Sequence, residues 1–192
     1  MRLFVALDIP NEIRARISTF IAGVRGFAPD VRFVSPESLH VTLKFIGEFD
    51  DGRLNQVTKA LSGIEGQHFD LSFRSVGFFT ARSPRVFWIG IEAGYELKAL
   101  ASAVDSALAP LGVEREQRDF TPHLTLARTG SGRPQGSRAD RNQPKMYELK
   151  ARVEMMPPPD FGTMTAREFF LYLSKLSPKG AQYTKLERFP LR

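Results

Sequence analysis

The sequence has three histidines, and two of them share one setting: HVTL at 40–43 and HLTL at 123–126, 83 residues apart. Histidine titrates at about pH 6.5, so near neutrality one imidazole can accept a proton while a second donates one. A threonine hydroxyl is a poor nucleophile without a base, but a good hydrogen-bond donor to an anionic oxygen. Two imidazoles and two hydroxyls on facing walls therefore suit displacement at phosphorus. One ring activates the incoming oxygen, the other protonates the leaving oxygen, and the hydroxyls hold the non-bridging oxygens.

Other chemistries find less support. Zinc takes three or four protein ligands, and no third His, Cys or carboxylate stands at ligand spacing from His40 or His123. No nucleophile-elbow sequence, P-loop or GxGxxG occurs, so triad hydrolysis and ATP or dinucleotide binding lack their motifs. There is no cysteine. Disulfides, thiol catalysis and Cys-ligated zinc are excluded, and a reducing cytosol fits. His68, in GQHFD, has no threonine two residues on and reads as a surface residue at a strand start.

The elements that must position these groups follow from periodicity. In SLHVTLKF, Leu39, Val41, Leu43 and Phe45 alternate with His40, Thr42 and Lys44, the period of a half-buried strand. His40 and Thr42 then share one face while the hydrocarbon residues enter the core. His123 and Thr125 stand likewise against Leu124 and Leu126. Strands are expected at 2–9, 31–34, 69–79, 85–92 and 123–127, and two more close the chain around a Lys179-Gly180 turn. Helices are expected after Pro10, over 51–62 and over 95–111, and again in KMYELKARVEMM, which the prolines at 157–159 stop. Strands and helices mix without regular alternation, which predicts an α+β fold with antiparallel sheets. One copy of the motif falls in each half, so two similar lobes would line a cleft between them.

Composition sets the frame. At 192 residues with 42% hydrophobic residues, the chain suits one folded unit, or two small lobes on a shared core. No stretch approaches the roughly 20 apolar residues of a membrane span, and MRLFVALDIP is too short for a signal peptide and broken by Asp8. The net charge is +6. Half of it lies in TGSGRPQGSRADRNQPK (129–145), where Arg133, Arg138, Arg141 and Lys145 stand against Asp140. The whole of 129–165 is expected to be a basic Gly/Pro-rich loop or insertion, either tolerated on the surface or gripping an RNA backbone through salt-dependent contacts.

With both motifs in view, the sequence resembles the 2H phosphoesterase superfamily, which is characterised by paired H-x-T/S-x motifs. It is similar in particular to the bacterial RNA 2′,3′-cyclic phosphodiesterases, also called 2′-5′ RNA ligases. RLFVALDIP, LHVTLKFIGE, RVFWIGI, FTPHLTLAR and LYLSKLSPKGAQYTKLERFPL carry the likeness. It implies a bilobal α+β fold with pseudo-twofold lobes, and a cytoplasmic, monomeric enzyme that needs neither metal nor cofactor. The implied reaction opens RNA 2′,3′-cyclic phosphate ends, or related cyclic nucleotides, to 2′-phosphomonoesters. His40 would be the proton donor to O3′ and His123 the proton acceptor, with Thr42, Thr125 and Arg128 binding phosphate. Strand parity puts Arg128 opposite His123, so it reaches the site only if the strand bends or ends there. The same site run in reverse would join 2′-5′ linkages, and a binding module without turnover is the third reading.

Overall fold

The structure, a computed structural model, describes residues 1–29, 31–79, 84–129, 143–177 and 180–192. Strands β1 (Arg2–Asp8), β2 (Arg32–Phe33), β3 (His40–Glu48), β4 (Phe69–Phe79), β5 (Val86–Ala93), β6 (His123–Arg128), β7 (Asp160–Ala166), β8 (Glu168–Ser177) and β9 (Gly180–Pro190) form two sheets. One has the order β3-β1-β8-β9 and the other β2-β6-β5-β4-β7, and every pairing is antiparallel. Helices α1 (Asn11–Val24), α2 (Leu54–Ser62), α3 (Tyr95–Leu108) and α4 (Gln143–Val153) complete the fold. The α+β architecture expected from the sequence is what the chain adopts.

Local sequence explains each element that matters to the cleft. Pro10, with φ −69°, stands in extended backbone immediately before α1, where its fixed φ and missing N–H cost nothing. Ile13, Ile17, Ile21 and Val24 then recur on the buried stripe of that helix. β1 reads LFVAL because both its faces are covered. Leu3, Val5 and Leu7 enter the main core, while Phe4 and Ala6 join Phe170 and Tyr172 in a separate cluster on the opposite face of the same sheet. Gly112, at φ 85°, closes the turn after α3 in the left-handed region that glycine enters without a Cβ clash.

The halves of the chain are interleaved. α1 follows a strand of the four-stranded sheet but packs on β7 of the other, whereas α3 follows β5 and packs on β3 and α2. A single apolar core therefore runs through both sheets.

The expectation for 129–165 needs correcting. The helix expected in KMYELKARVEMM is there as α4, with Met146, Leu149 and Val153 buried at helical spacing, but 160–166 are not loop: they are β7, paired along β4. Phe161 and Ala166 face inward there. Three prolines directly before DFGTMTA masked this strand in the sequence. The basic residues Arg133, Arg138 and Arg141 and the Lys179 turn lie outside the described residues, and so does any loop contact with RNA.

Candidate active site

Both motif strands carry a β-bulge at the same place. Along β3 the partners of β1 run Ala6↔Thr42 and then Val5↔Lys44, leaving Leu43 as the extra residue. Along β6 the partners of β5 run Trp88↔Thr125 and then Phe87↔Ala127, leaving Leu126 extra. An extra residue reverses the facing of everything after it. Lys44 accordingly turns into the core and Phe45 turns out, 59% exposed, the opposite of what strict alternation predicts. In the second copy Ala127 turns in and Arg128 turns out onto the face of His123 and Thr125. The Arg128 Nη2 donates to Thr125 Oγ1 over 3.3 Å. Arg128 reaches the site because the strand bulges, which periodicity alone could not reveal.

The two imidazoles are held alike. His40 Nδ1 lies 2.7 Å from the Ser38 carbonyl oxygen and His123 Nδ1 lies 2.8 Å from that of Thr121. A carbonyl only accepts, so Nδ1 carries the proton in each neutral ring and Nε2 is left as a bare acceptor. An aromatic ring stands edge-on to each: Tyr183 to His40 at 5.1 Å and 90°, Phe79 to His123 at 4.8 Å and 89°. His40 also packs on Phe4 at 4.8 Å. These contacts fix ring orientation from both sides.

Electrostatics favour the neutral rings in the ligand-free protein. Burial pushes His40 down to about 4, against the pull of the Ser38 carbonyl, and the Arg128 guanidinium adds to the fall. His123 is lowered by the same causes. Burial raises Tyr172 and Tyr183 above the ordinary phenol value. Among the described residues no three His, Cys, Asp or Glu side chains gather as a metal set, and no helix is long and apolar enough to cross a membrane.

A cavity of about 550 Å³ opens beside His40, walled by Tyr172 and Tyr183 and floored by Asp8, Arg14 and Lys185. Asp8 accepts from Arg14 Nη2 at 2.8 Å and Lys185 Nζ at 2.6 Å. Sequence reasoning missed this wall. Its one available signal was the two-residue spacing of Phe170 and Tyr172, and of Tyr183 and Lys185, in the closing strands. β3 and β6, from different sheets, lie against each other, so the two motifs meet. His68 is elsewhere, its Nε2 against the Leu191 carbonyl oxygen at 2.8 Å, tying the C-terminal residues to β4.

Comparison with known proteins agrees with this twofold arrangement. A family model, the LigT like phosphoesterase, matches twice, over residues 7–88 and 89–183, and each match holds one H-x-T strand. The chain is 37% identical over 190 residues to an RNA 2′,3′-cyclic phosphodiesterase of Archaeoglobus fulgidus, covering 98% of this chain and 99% of that one. It is 33% identical over 196 residues to a protein of the same name from Methanothermobacter thermautotrophicus, covering 100% and 99%. A crystal structure of Escherichia coli LigT complexed with 3′-AMP aligns with a TM-score of 0.78 at 31% identity, covering 99% and 97%. On both the family match and these full-length relatives, the chain belongs to the LigT-like phosphoesterase family.

Proposed function

We propose that this chain hydrolyses RNA ends carrying a 2′,3′-cyclic phosphate, leaving a 2′-phosphomonoester. The observation that carries the reading is the pair of histidines, each locked through Nδ1 onto a carbonyl two residues earlier. Each keeps Nε2 for proton transfer. His123 Nε2 takes a proton from water as its oxygen bonds to phosphorus. The P–O3′ bond breaks and His40 Nε2–H gives O3′ its proton. Thr42, Thr125 and Arg128 hold the non-bridging oxygens, whose charge grows in the transition state.

His40 must be protonated to act as the acid, yet in the free protein it is held at about 4. The bound phosphate supplies the missing negative charge and raises it. Relatives named RNA 2′,3′-cyclic phosphodiesterase span nearly their whole length with this chain, which supports the choice of substrate.

The test is an oligonucleotide ending in a 2′,3′-cyclic phosphate, incubated in EDTA, with the phosphomonoester identified. A 2′-phosphate is expected. A 3′-phosphate means that the acid and base roles are exchanged, and loss of turnover in EDTA means that a metal takes part. His40→Ala and His123→Ala should each lower kcat by about 10²–10⁴-fold. Unchanged product formation in both would refute the acid/base assignment.

A further inference from the structure

We infer that Arg32 is a second phosphate-binding arginine, taking the phosphodiester that joins the reacting nucleotide to the rest of the RNA strand. The inference rests on the functional reading above and extends its site by one phosphate. β2 pairs with β6 through Arg32↔Arg128 and Phe33↔Ala127. Ala127 is buried, and the Phe33 ring lies 6.5 Å from that of the core residue Phe87, so that pair faces inward. Residues directly opposite share a face, which puts Arg32 beside Arg128 on the outer face, one strand further from β5. Both arginines are exposed.

The two arginines share one face on neighbouring strands, and carboxylates ordinarily offset such a cross-strand pair of like charges. Among the described residues there are none here. Arg128 bonds to the Thr125 hydroxyl, a neutral group, and Arg32 makes no ion pair with any described residue. The contrast with the other motif strand is sharp. There the equivalent of Arg128 is Phe45, paired with Phe4 of β1 as Arg128 is paired with Val86 of β5, and β3 is the edge of its sheet, with no strand in the place of β2. Two positive charges thus stand on neighbouring strands of one face where β2 meets β6.

The direction of the RNA follows from the chemistry. O3′ leaves toward His40, so the ribose and the strand attached to it lie on the His40 side. Arg128 holds Thr125 on the His123 strand, and its charge bears on His123, His40 and Tyr183 alike, so it serves both sides of the cleft. Arg32, its neighbour, continues the cationic row away from the reacting phosphorus, and guanidinium is well suited to gripping a phosphodiester.

Calorimetric binding of a nucleoside 2′-monophosphate and the corresponding 2′,5′-bisphosphate separates the two phosphates without needing turnover. The wild type should favour the bisphosphate by about tenfold, the scale of one charge-assisted contact. Arg32→Gln should bring that ratio close to one, and Arg32→Lys should restore part of it. The log–log salt slope for the bisphosphate should become shallower by about 0.7 in Arg32→Gln, as for one lost phosphate contact on a single strand. The monophosphate arm checks that the site is intact. An equal ratio in wild type and Arg32→Gln overturns the inference. So does a wild type without preference, or an equal loss of affinity for both ligands. A bisphosphate preference that depends on Arg32, in a protein that turns over no cyclic end, refutes the hydrolase reading alone. Turnover without such a preference refutes Arg32 alone.

Discussion

His40 poses the residue-level problem of an acid that is neutral at rest. Burial disfavours its imidazolium, and Arg128 disfavours it further. The free protein therefore holds both histidines neutral at pH 7, ready to accept protons but not to give one. On the proposed reading, the cyclic phosphodiester bound between Thr42, Thr125 and Arg128 carries one negative charge, which offsets that of the arginine and so favours the His40 imidazolium. Proton NMR of the imidazole C–H signals is the direct measurement. His40 should titrate at about 4 in the free protein and move upward when a 2′-nucleotide is added. A value of about 6.5, unmoved by the nucleotide, contradicts this picture. The same shift has a stability counterpart. Between the free-state value of about 4 and the ordinary value of about 6.5, the unfolded chain binds more protons than the folded one. His40 thus adds stability as pH rises through that window and withdraws it on acidification. In thermal melts, His40→Gln should show a weaker pH dependence than the wild type there.

The next level is the strand, and here the bulges explain what was legible and what was not. Alternation placed His40, Thr42, His123 and Thr125 correctly, because those residues precede the extra one. It misplaced Lys44 and Phe45 and left Arg128 facing the wrong way, because a bulge is decided by the partner strand's register, which one strand's residues do not record. β7 was obscured for another reason: three prolines stand directly before it and its apolar residues are few, whereas the helix expected in KMYELKARVEMM is present as α4. The row Gly77↔Trp88↔Thr125, crossing β4, β5 and β6, offers a test of strand-level support. A Cβ on Gly77 would stand 2.4 Å from the Trp88 ring, so any side chain there displaces the indole. Trp88 also lies 5.4 Å from Phe79, the ring that braces His123. Gly77→Ala should therefore cost about 1–3 kcal/mol, the usual toll of overpacking, and lower turnover as well. Trp88 is the sole tryptophan, so its emission spectrum reports the displacement directly. An unchanged spectrum together with an unchanged denaturation midpoint refutes the packing account.

For the whole molecule, the question is what keeps two motif strands from different sheets in register across a cleft. Part of the answer is a buried ion pair that joins the halves. The reversal at Leu43 sends Lys44 inward, where its Nζ meets Asp105 Oδ1 of α3 at 2.5 Å and the Glu114 carbonyl oxygen at 2.6 Å. Lys44 lies in the first family match and Asp105 in the second. Asp105 also accepts from the Glu116 backbone N–H at 3.1 Å. Burial alone would raise its carboxyl, but the Lys44 and Glu116 hydrogen bonds together hold it below the usual carboxylate range. The pair's contribution is therefore present above the ordinary Asp value and is lost as pH falls through the lowered one. Side-chain exposure is 6% for Lys44 and 17% for Asp105, so removing one partner leaves a poorly hydrated charge. Lys44→Ala should destabilise by about 3 kcal/mol, the low end for a broken buried pair because Asp105 keeps some solvent. Replacing both partners with apolar residues of similar volume, Lys44→Met with Asp105→Leu, should recover most of that loss, since no charge is then stranded. Turnover should separate the two variants differently. Lys44 is two residues from Thr42, so the single variant loosens β3 and lowers kcat, whereas the double variant holds the strand by packing and keeps most activity. Urea midpoints and kcat measured on both variants decide it. A double variant as unstable as the single one would mean that the ion pair itself, and not the stranded charge, sets the cost.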